Sequence, residues 1–277
     1  MAAANLTVVA TPQSLMLSFL GIYALGRDTA IYSGSIIDVF DRIDVSEEAV
    51  RSTLSRMAKR DLLVRHRRGR KVYVALTPRA TAVLEDGHRR IWQTGAVNRS
   101  WNGSWTLVGF SLPDSRRNER HDLRSQLVWA GFGPLQNGLW IAPGEVDVVP
   151  IIEELGLRDA VTVLTAQTAK PTEAADLVDK AFDVAAIAAR YDAFLRRWDT
   201  PGPAAEARDD LARQLMLHTD WLQLVRQDPH LPAEHLPDGW PAIRAETVFH
   251  MLAERYEHSA AEIAASALDV IAPSTDR

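Results

Sequence analysis

Ser46-Glu47-Glu48-Ala49-Val50-Arg51-Ser52-Thr53-Leu54-Ser55-Arg56-Met57-Ala58-Lys59 is the stretch on which the fold turns. Ser46 is a good N-cap, and Glu47 and Glu48 fall in the first turn, where the helix dipole favours negative charge. Val50, Leu54 and Met57 recur at i, i+4 and i+7, so one face of the predicted helix is apolar. The opposite face carries Glu48, Ser52, Ser55, Arg56 and Lys59, flanked by Arg51. Such a helix buries one side and presents short polar and basic groups on the other.

What surrounds it completes a pattern. Upstream, Leu15, Phe19, Ile22 and Tyr23 recur at helical spacing after Pro12, with Gly26 as a stop, and a short helix after Ser33 buries Ile36, Ile37 and Phe40. Downstream, Leu62-Leu63-Val64 leads into Arg65-His66-Arg67-Arg68-Gly69-Arg70-Lys71, and Val72-Tyr73-Val74-Ala75-Leu76 leads out. Gly69 stands where a tight hairpin turn requires it. A long helix over about 78–92 closes the unit. Three helices and a basic hairpin over residues 12–92 predict a winged helix-turn-helix, whose second motif helix enters the DNA major groove.

Charge supports the same expectation. The 277-residue chain has a net charge of −5, but residues 42–73 hold ten Lys/Arg against four acids. That surplus of six leaves the rest of the chain at −11. A charge run alone marks only a solvated face. Here the charge sits on the non-core face of one helix and again on the adjoining hairpin. Arg65, Arg67, Arg68, Arg70 and Lys71 are therefore expected to meet phosphates, displacing condensed counterions. Arg51, Ser52, Ser55, Arg56 and Lys59 are expected to face base edges, where arginine pairs bidentately with guanine. The expected partner is double-stranded DNA; no aromatic pattern on a sheet points to RNA.

Other classes are excluded more simply. With no cysteine, the chain has no disulfide, thiolate nucleophile or Cys-ligated metal centre, which fits a reducing, cytoplasmic setting. The opening stretch Met1–Gly26 is apolar, but its first basic residue is Arg27 and Pro12 interrupts it, unlike a signal peptide. No apolar run reaches the roughly 18 residues of a membrane helix. The eight histidines show no HExxH or other metal-ligand spacing, and no GxSxG, Walker or dinucleotide motif is present, so neither catalysis nor a cofactor is expected.

Beyond the basic module, Trp105–Leu112, a polar helix over about 115–129, and strands at 139–142 and 160–166 predict a small α+β domain over 100–170. Gly133-Pro134-Leu135-Gln136-Asn137-Gly138 reads only as a turn. Residues 171–270 read as an all-α helical domain. One helix ends at Trp198 before Pro201-Gly202-Pro203, a second runs over about 204–226, and a last long helix holds Val248, Leu252, Tyr256 and Ile263.

With these parts in order, the chain resembles the PaaX-type (phenylacetic-acid degradation repressor) family of transcriptional regulators. The resembling residues begin with the quoted helix and continue through Arg68-Gly69-Arg70-Lys71-Val72-Tyr73 and Trp105-Thr106-Leu107-Val108-Gly109-Phe110. They extend to Gly131-Phe132-Gly133, Leu139-Trp140-Ile141-Ala142-Pro143, Asp228-Pro229-His230-Leu231-Pro232 and Leu236-Pro237-Asp238-Gly239-Trp240-Pro241. One departure is Asp61-Leu62-Leu63, where the family has a Gly-Trp-Leu type sequence. The resemblance implies a ferredoxin-like central domain similar to a CRISPR-associated small nuclease. It also implies a homodimeric repressor of an aromatic-acid catabolic operon, released by an acyl-CoA, phenylacetyl-CoA first among them. Such an effector needs an aromatic slot, for which Trp140, Tyr191, Trp198, Trp221 and Trp240 are the candidates, and cations for its phosphates, for which Arg190, Arg196, Arg197 and Arg213 are. Two rival readings are a metal-dependent nuclease built on the central domain, with Asp114 its single well-placed carboxylate, and an architectural DNA-binding protein without a ligand.

Overall fold

The computed structural model describes residues 10–273. The first nine residues of the apolar opening stretch lie outside the described part. In chain order the elements are α1 (Pro12–Tyr23), β1 (Ala30–Tyr32), α2 (Ser33–Asp41), α3 (Glu47–Lys59), β2 (Leu63–Arg68), β3 (Lys71–Leu76) and α4 (Pro78–Arg89). After a π-helical turn at Arg90–Thr94 come β4 (Ser104–Phe110), α5 (Arg117–Trp129), β5 (Gly133–Gln136), β6 (Leu139–Pro143), α6 (Val149–Glu154) and β7 (Val161–Gln167). The chain continues through α7 (Ala174–Ala181), α8 (Val184–Trp198), α9 (Asp210–Arg226), α10 (Pro241–Ala267) and β8 (Val270–Ile271). The fold is mixed α and β, with two four-stranded antiparallel sheets ordered β2-β3-β1-β8 and β5-β6-β4-β7.

Two compact units are assembled from these elements. The first takes the chain up to Gln93, then Ala193–Gln223, then everything from Ala245 on; the second takes Thr94–Asp192 and Leu224–Arg244. Residues 171–270 are thus shared between the two units, and they also include β8 beside their helices.

In the first unit α1 starts where Thr11 and Ser14 cap each other reciprocally, with Pro12 at the first helical position. Its Met16, Phe19 and Leu20 pack with Ile36, Val39 and Phe40 of α2 and with Val50, Leu54 and Met57 of α3. Leu211 and Leu215 of α9 and Ala260 and Ala264 of α10 enter the same core. Each such large side chain, fully buried, contributes about 1.5–3 kcal/mol before entropy is counted. Tyr23 ties α1 to α9 by donating its hydroxyl to Gln214 Oε1 at 2.6 Å, and burial pushes its ionisation well above the usual phenol range.

The helix expected from residue 204 begins only at Asp210. Ala204 adopts a left-handed φ of 50°, and the Asp209 carboxylate caps the helix by accepting the Ala212 N–H at 3.0 Å. This unit also holds an aromatic cluster. Trp221 stacks on Phe249 with centroids 4.8 Å apart at 9°, and Phe194, Trp92 and His218 close around the pair. Burial there, with a smaller contribution from His88, holds the His218 imidazole down at about 4. Since an unfolded histidine titrates near 6.5, protons bind the unfolded chain first as pH falls. Stability is therefore lost between about pH 6.5 and 4, by about 3 kcal/mol at the acid end for this residue. Urea midpoints taken at pH 7 and pH 5 should differ less in His218→Phe than in the wild type; equal differences would contradict the assignment.

In the second unit β4 lies between β6 and β7, and one face of the sheet packs against α5 and α6. Val108, Trp140 and Ala142 meet Leu123, Leu127 and Ile152 there. Gly133–Gln136, read from sequence as part of a turn, is instead strand β5. Its Gly and Pro punctuate without ending the strand. Pro134 sits at an irregular register against β6, and a Cβ on Gly133 would stand 2.2 Å from the Ala181 carbonyl of α7. Only Asn137 and Gly138, the latter at φ 75°, make the turn.

Candidate nucleic-acid interface

Helix α3 begins as its sequence dictates, with Ser46 Oγ accepting the Ala49 N–H at 3.3 Å. Val50, Thr53, Leu54 and Met57 are buried, while Glu48, Arg51, Ser52, Arg56 and Lys59 are exposed and Ser55 is half-buried. The Arg51 guanidinium is held by Glu47 one turn back at 2.6 Å. Arg56 lies along the helix, donating to Ser52 Oγ at 2.9 Å and to Thr53 Oγ1 at 3.1 Å. Its fork is therefore already ordered on the exposed face beside Ser52, with no carboxylate among these partners.

The hairpin follows at once. Arg68 pairs with Lys71 across a two-residue turn whose first member, Gly69, has φ 60°, the residue and position a type II′ hairpin requires. Arg65, Arg67, Arg68 and Arg70 are exposed. Lys71 differs from them: its Nζ lies 2.7 Å from Asp269 Oδ2 and 4.8 Å from the Tyr32 ring centroid. Tyr73 donates its hydroxyl to the same carboxylate at 3.1 Å, and Ser35 Oγ accepts the Asp269 N–H at 3.0 Å. The hydrogen bond to Lys71 holds the Asp269 carboxyl below the usual carboxylate range.

Sequence reasoning counted Lys71 with the free cations and missed Asp269, which lies 198 positions away and carries no local signal. Asp269→Ala is expected to release Lys71 to a phosphate. Binding to any duplex should strengthen, and the salt slope of log Kobs should steepen by about one. Anisotropy titrations at several salt concentrations measure the slope; an unchanged one would contradict the prediction.

Also missed were the ties that hold the turn between α2 and α3. Arg208 reaches Asp41 at 2.7 Å and Asp44 at 3.2 Å, and Arg42 pairs with Asp209. These ion pairs brace the approach to α3 from residues distant in sequence.

The residues predicted for an effector do not gather in one unit. In the first, Arg197 bridges Asp220 and Glu206, both at 2.7 Å, and the buried Trp198 donates its indole N–H to Asp220 at 2.9 Å. Arg213 pairs with Asp210 at 2.9 Å, Trp221 is fully buried in the aromatic cluster, and Arg196 is exposed. In the second, Tyr191 donates to Asp228, its ring lies edge-on 6.4 Å from Trp240, and Arg190 donates to the Gln227 carbonyl. Trp140 belongs to the core beneath α5. Burial raises the Asp228 carboxyl above the usual carboxylate range against the opposing pull of Tyr191. Arg190, Tyr191 and Trp240 are the part of the predicted set that stands together, and Asp228, which was not predicted, joins them.

Asp114, the single carboxylate considered for nuclease chemistry, is exposed and pairs with Arg120 at 3.0 Å. Among the described residues no three His, Asp or Glu side chains stand close enough to hold a metal ion, and no helix is long and apolar enough to cross a membrane.

Comparison with known proteins places this geometry. Residues 11–80 match the family described as PaaX-like protein, residues 98–178 the PaaX protein central Cas2-like domain, and residues 182–266 the PaaX-like protein C-terminal domain. The transcriptional repressor PaaX of Escherichia coli (strain K12) is 28% identical over 239 residues, covering 82% of this chain and 74% of the relative. Among solved structures, uncharacterized protein Rv0674 from Mycobacterium tuberculosis shares the fold with a TM-score of 0.61 at 22% identity, over 92% of this chain and 99% of that one. The matches succeed one another from residue 11 to residue 266, and the chain belongs to the PaaX family.

Proposed function

We propose that the chain is a homodimeric transcriptional repressor that binds operator DNA through a winged helix-turn-helix and releases it on binding an acyl-CoA. The observation that carries the DNA-binding part is the set of exposed basic residues on α3 and on the β2–β3 hairpin that follows it. The non-core face of α3 presents Arg51, Ser52, Ser55, Arg56 and Lys59, and the hairpin beside it presents Arg65, Arg67, Arg68 and Arg70. In this reading α3 enters the major groove and the hairpin is the wing on the phosphates. Residues 12–92 are the DNA-binding module, residues 100–170 a ferredoxin-like module, and residues 171–270 a helical part packed into both units.

Repression is supported by the repressor relative, and the acyl-CoA by what the family resemblance implies. Phenylacetyl-CoA is the first effector to try, and Arg190, Tyr191 and Trp240 are the side chains to probe for it. A ligand releases DNA only through different affinities for two conformations. The unliganded dimer holds its wings at the spacing of successive grooves, and the liganded one does not.

The wing is tested by charge. Replacing Arg67 and Arg70 together by Ala should weaken operator and scrambled DNA alike, and lower the salt slope by about two. A loss confined to the operator would move these residues from phosphate contact to base readout, against the proposal.

A further inference from the structure

Helix α3 is fixed differently at its two ends. At the C-terminal end the fixings are local: the Leu62 N–H returns to the Met57 carbonyl at 2.9 Å, and the Thr77 hydroxyl donates to the Asp61 carbonyl at 2.7 Å. The turn before its N-terminus closes on α2 through the Val45 N–H to the Phe40 carbonyl at 3.1 Å, with Asp44 at a left-handed φ of 57°. The charged side chains of this approach, Asp41, Arg42 and Asp44, reach a segment more than 160 positions away, where Arg208 takes both carboxylates and Asp209 takes Arg42. That segment is itself tied down. Glu206 accepts from Arg197 of α8 at 2.7 Å, the Asp209 carboxylate caps α9, and Arg213 of α9 donates to the Ala207 carbonyl at 3.3 Å. An isolated surface ion pair contributes little, but several charges joined in a network, with the Arg42–Asp209 pair half-buried, can hold a geometry.

We propose that Arg208 and Asp209 are positioning residues of DNA recognition: they hold the turn before α3, and so set the angle at which α3 meets base edges, without touching DNA themselves. The inference rests on the reading of α3 as the recognition helix and adds to it residues from outside the DNA-binding module. In a helix-turn-helix the N-terminal residues of the second helix contact the bases, so the turn leading into that end governs their reach. Bidentate hydrogen bonds depend on geometry, whereas the attraction of exposed cations to phosphates is independent of sequence. Loosening the turn therefore lowers the preference for one sequence and leaves general affinity for duplex in place. Arg208 faces two carboxylates and Asp209 is itself an anion, so neither is built to meet a phosphate.

Three variants of the full-length chain test the role by anisotropy, on the promoter region beside the protein's own gene and on scrambled DNA, at several salt concentrations. Arg208→Ala removes the cation. Asp41→Asn with Asp44→Asn removes its two carboxylates, and Asp209→Asn discharges the Arg42 pair while keeping an oxygen to cap α9. The first makes the surface more negative and the other two make it more positive, so a direct effect of charge on DNA moves them in opposite directions. Positioning moves all three the same way. The ratio of promoter to scrambled affinity should fall about tenfold, on the order of one lost base contact, with unchanged far-ultraviolet circular dichroism. Arg208→Lys, which keeps the charge beside the carboxylates, should recover most of the ratio, and the salt slope of Arg208→Ala on scrambled DNA should equal that of the wild type. A wild type that prefers the promoter, with variants that keep its ratio or shift it in opposite directions, overturns the positioning role and leaves the DNA-binding reading standing. So does an Arg208→Ala slope lowered by about one on both DNAs, the mark of a phosphate contact. A wild type without preference for the promoter overturns both.

Discussion

Arg56→Ala is expected to weaken binding to the operator by about 1–3 kcal/mol, roughly five- to a hundred-and-fifty-fold in Kd, while leaving affinity for scrambled duplex nearly unchanged. The side chain is exposed on α3, its fork ordered by Ser52 and Thr53. A planar, five-donor group matches guanine's two major-groove acceptors, and losing it removes sequence discrimination more than charge neutralisation. Arg56→Lys makes the point sharper. It keeps the charge and loses the fork, so specific affinity should fall nearly as far as in the Ala variant. Fold stability is expected to change by no more than about 0.5 kcal/mol, as at other exposed positions. Competition anisotropy with operator and scrambled DNA measures both affinities. Equal losses on the two DNAs would place Arg56 on phosphate.

Trp221→Ala is expected to cost about 3–5 kcal/mol of stability, a large part of the 5–15 kcal/mol typical of a folded chain. The indole is fully buried, stacked on Phe249 and 5.3 Å from the Phe194 ring, so truncation opens a void among aromatic neighbours that cannot collapse to fill it. Its Nε1 is buried without a hydrogen-bond partner. Trp221→Phe, which deletes that unpaired donor and most of the stacking surface survives, should cost markedly less than the Ala variant. Urea unfolding of the two variants decides it: an Ala variant with a wild-type midpoint would mean that Trp221 does not hold this core. The result also bears on the effector, because a tryptophan that stacks the core is not free to line a slot.

The local parts of this structure were legible because their signals are local. Ser46 and the two glutamates start α3, the spacing of Val50, Leu54 and Met57 names its buried face, and Gly69 names the hairpin turn; each involves residues within a few positions of one another. Strand β1 was not legible. Its three residues pair with β3 some forty positions later and with β8 some 240 positions later, and a three-residue segment carries no period of its own. The apolar stripes of α9 and α10 were visible, but not that Leu211, Leu215, Ala260 and Ala264 share a core with α1, α2 and α3. Periodicity says which face is buried and not against what.

The candidate site divides the same way. The face of α3 and the wing arginines follow from spacing and charge. The ties of Lys71 to Asp269 and of Arg208 to Asp41 and Asp44 depend on chain segments that meet only after folding. The effector residues were chosen by type, aromatic or cationic, and type does not distinguish a slot from a packed core. Hence Trp198 and Trp221 are core residues of one unit, while Tyr191 and Trp240 lie together in the other.

The central claim, sequence-specific DNA binding released by a ligand, is tested most directly by fluorescence anisotropy on the promoter region beside the protein's own gene. Scrambled DNA is the control, with two salt concentrations, each with and without phenylacetyl-CoA. The expected result is tight, salt-dependent binding that prefers the promoter and is lost when phenylacetyl-CoA is added. Tight promoter binding indifferent to phenylacetyl-CoA would contradict that effector, and no preference for the promoter over scrambled DNA would contradict the claim itself.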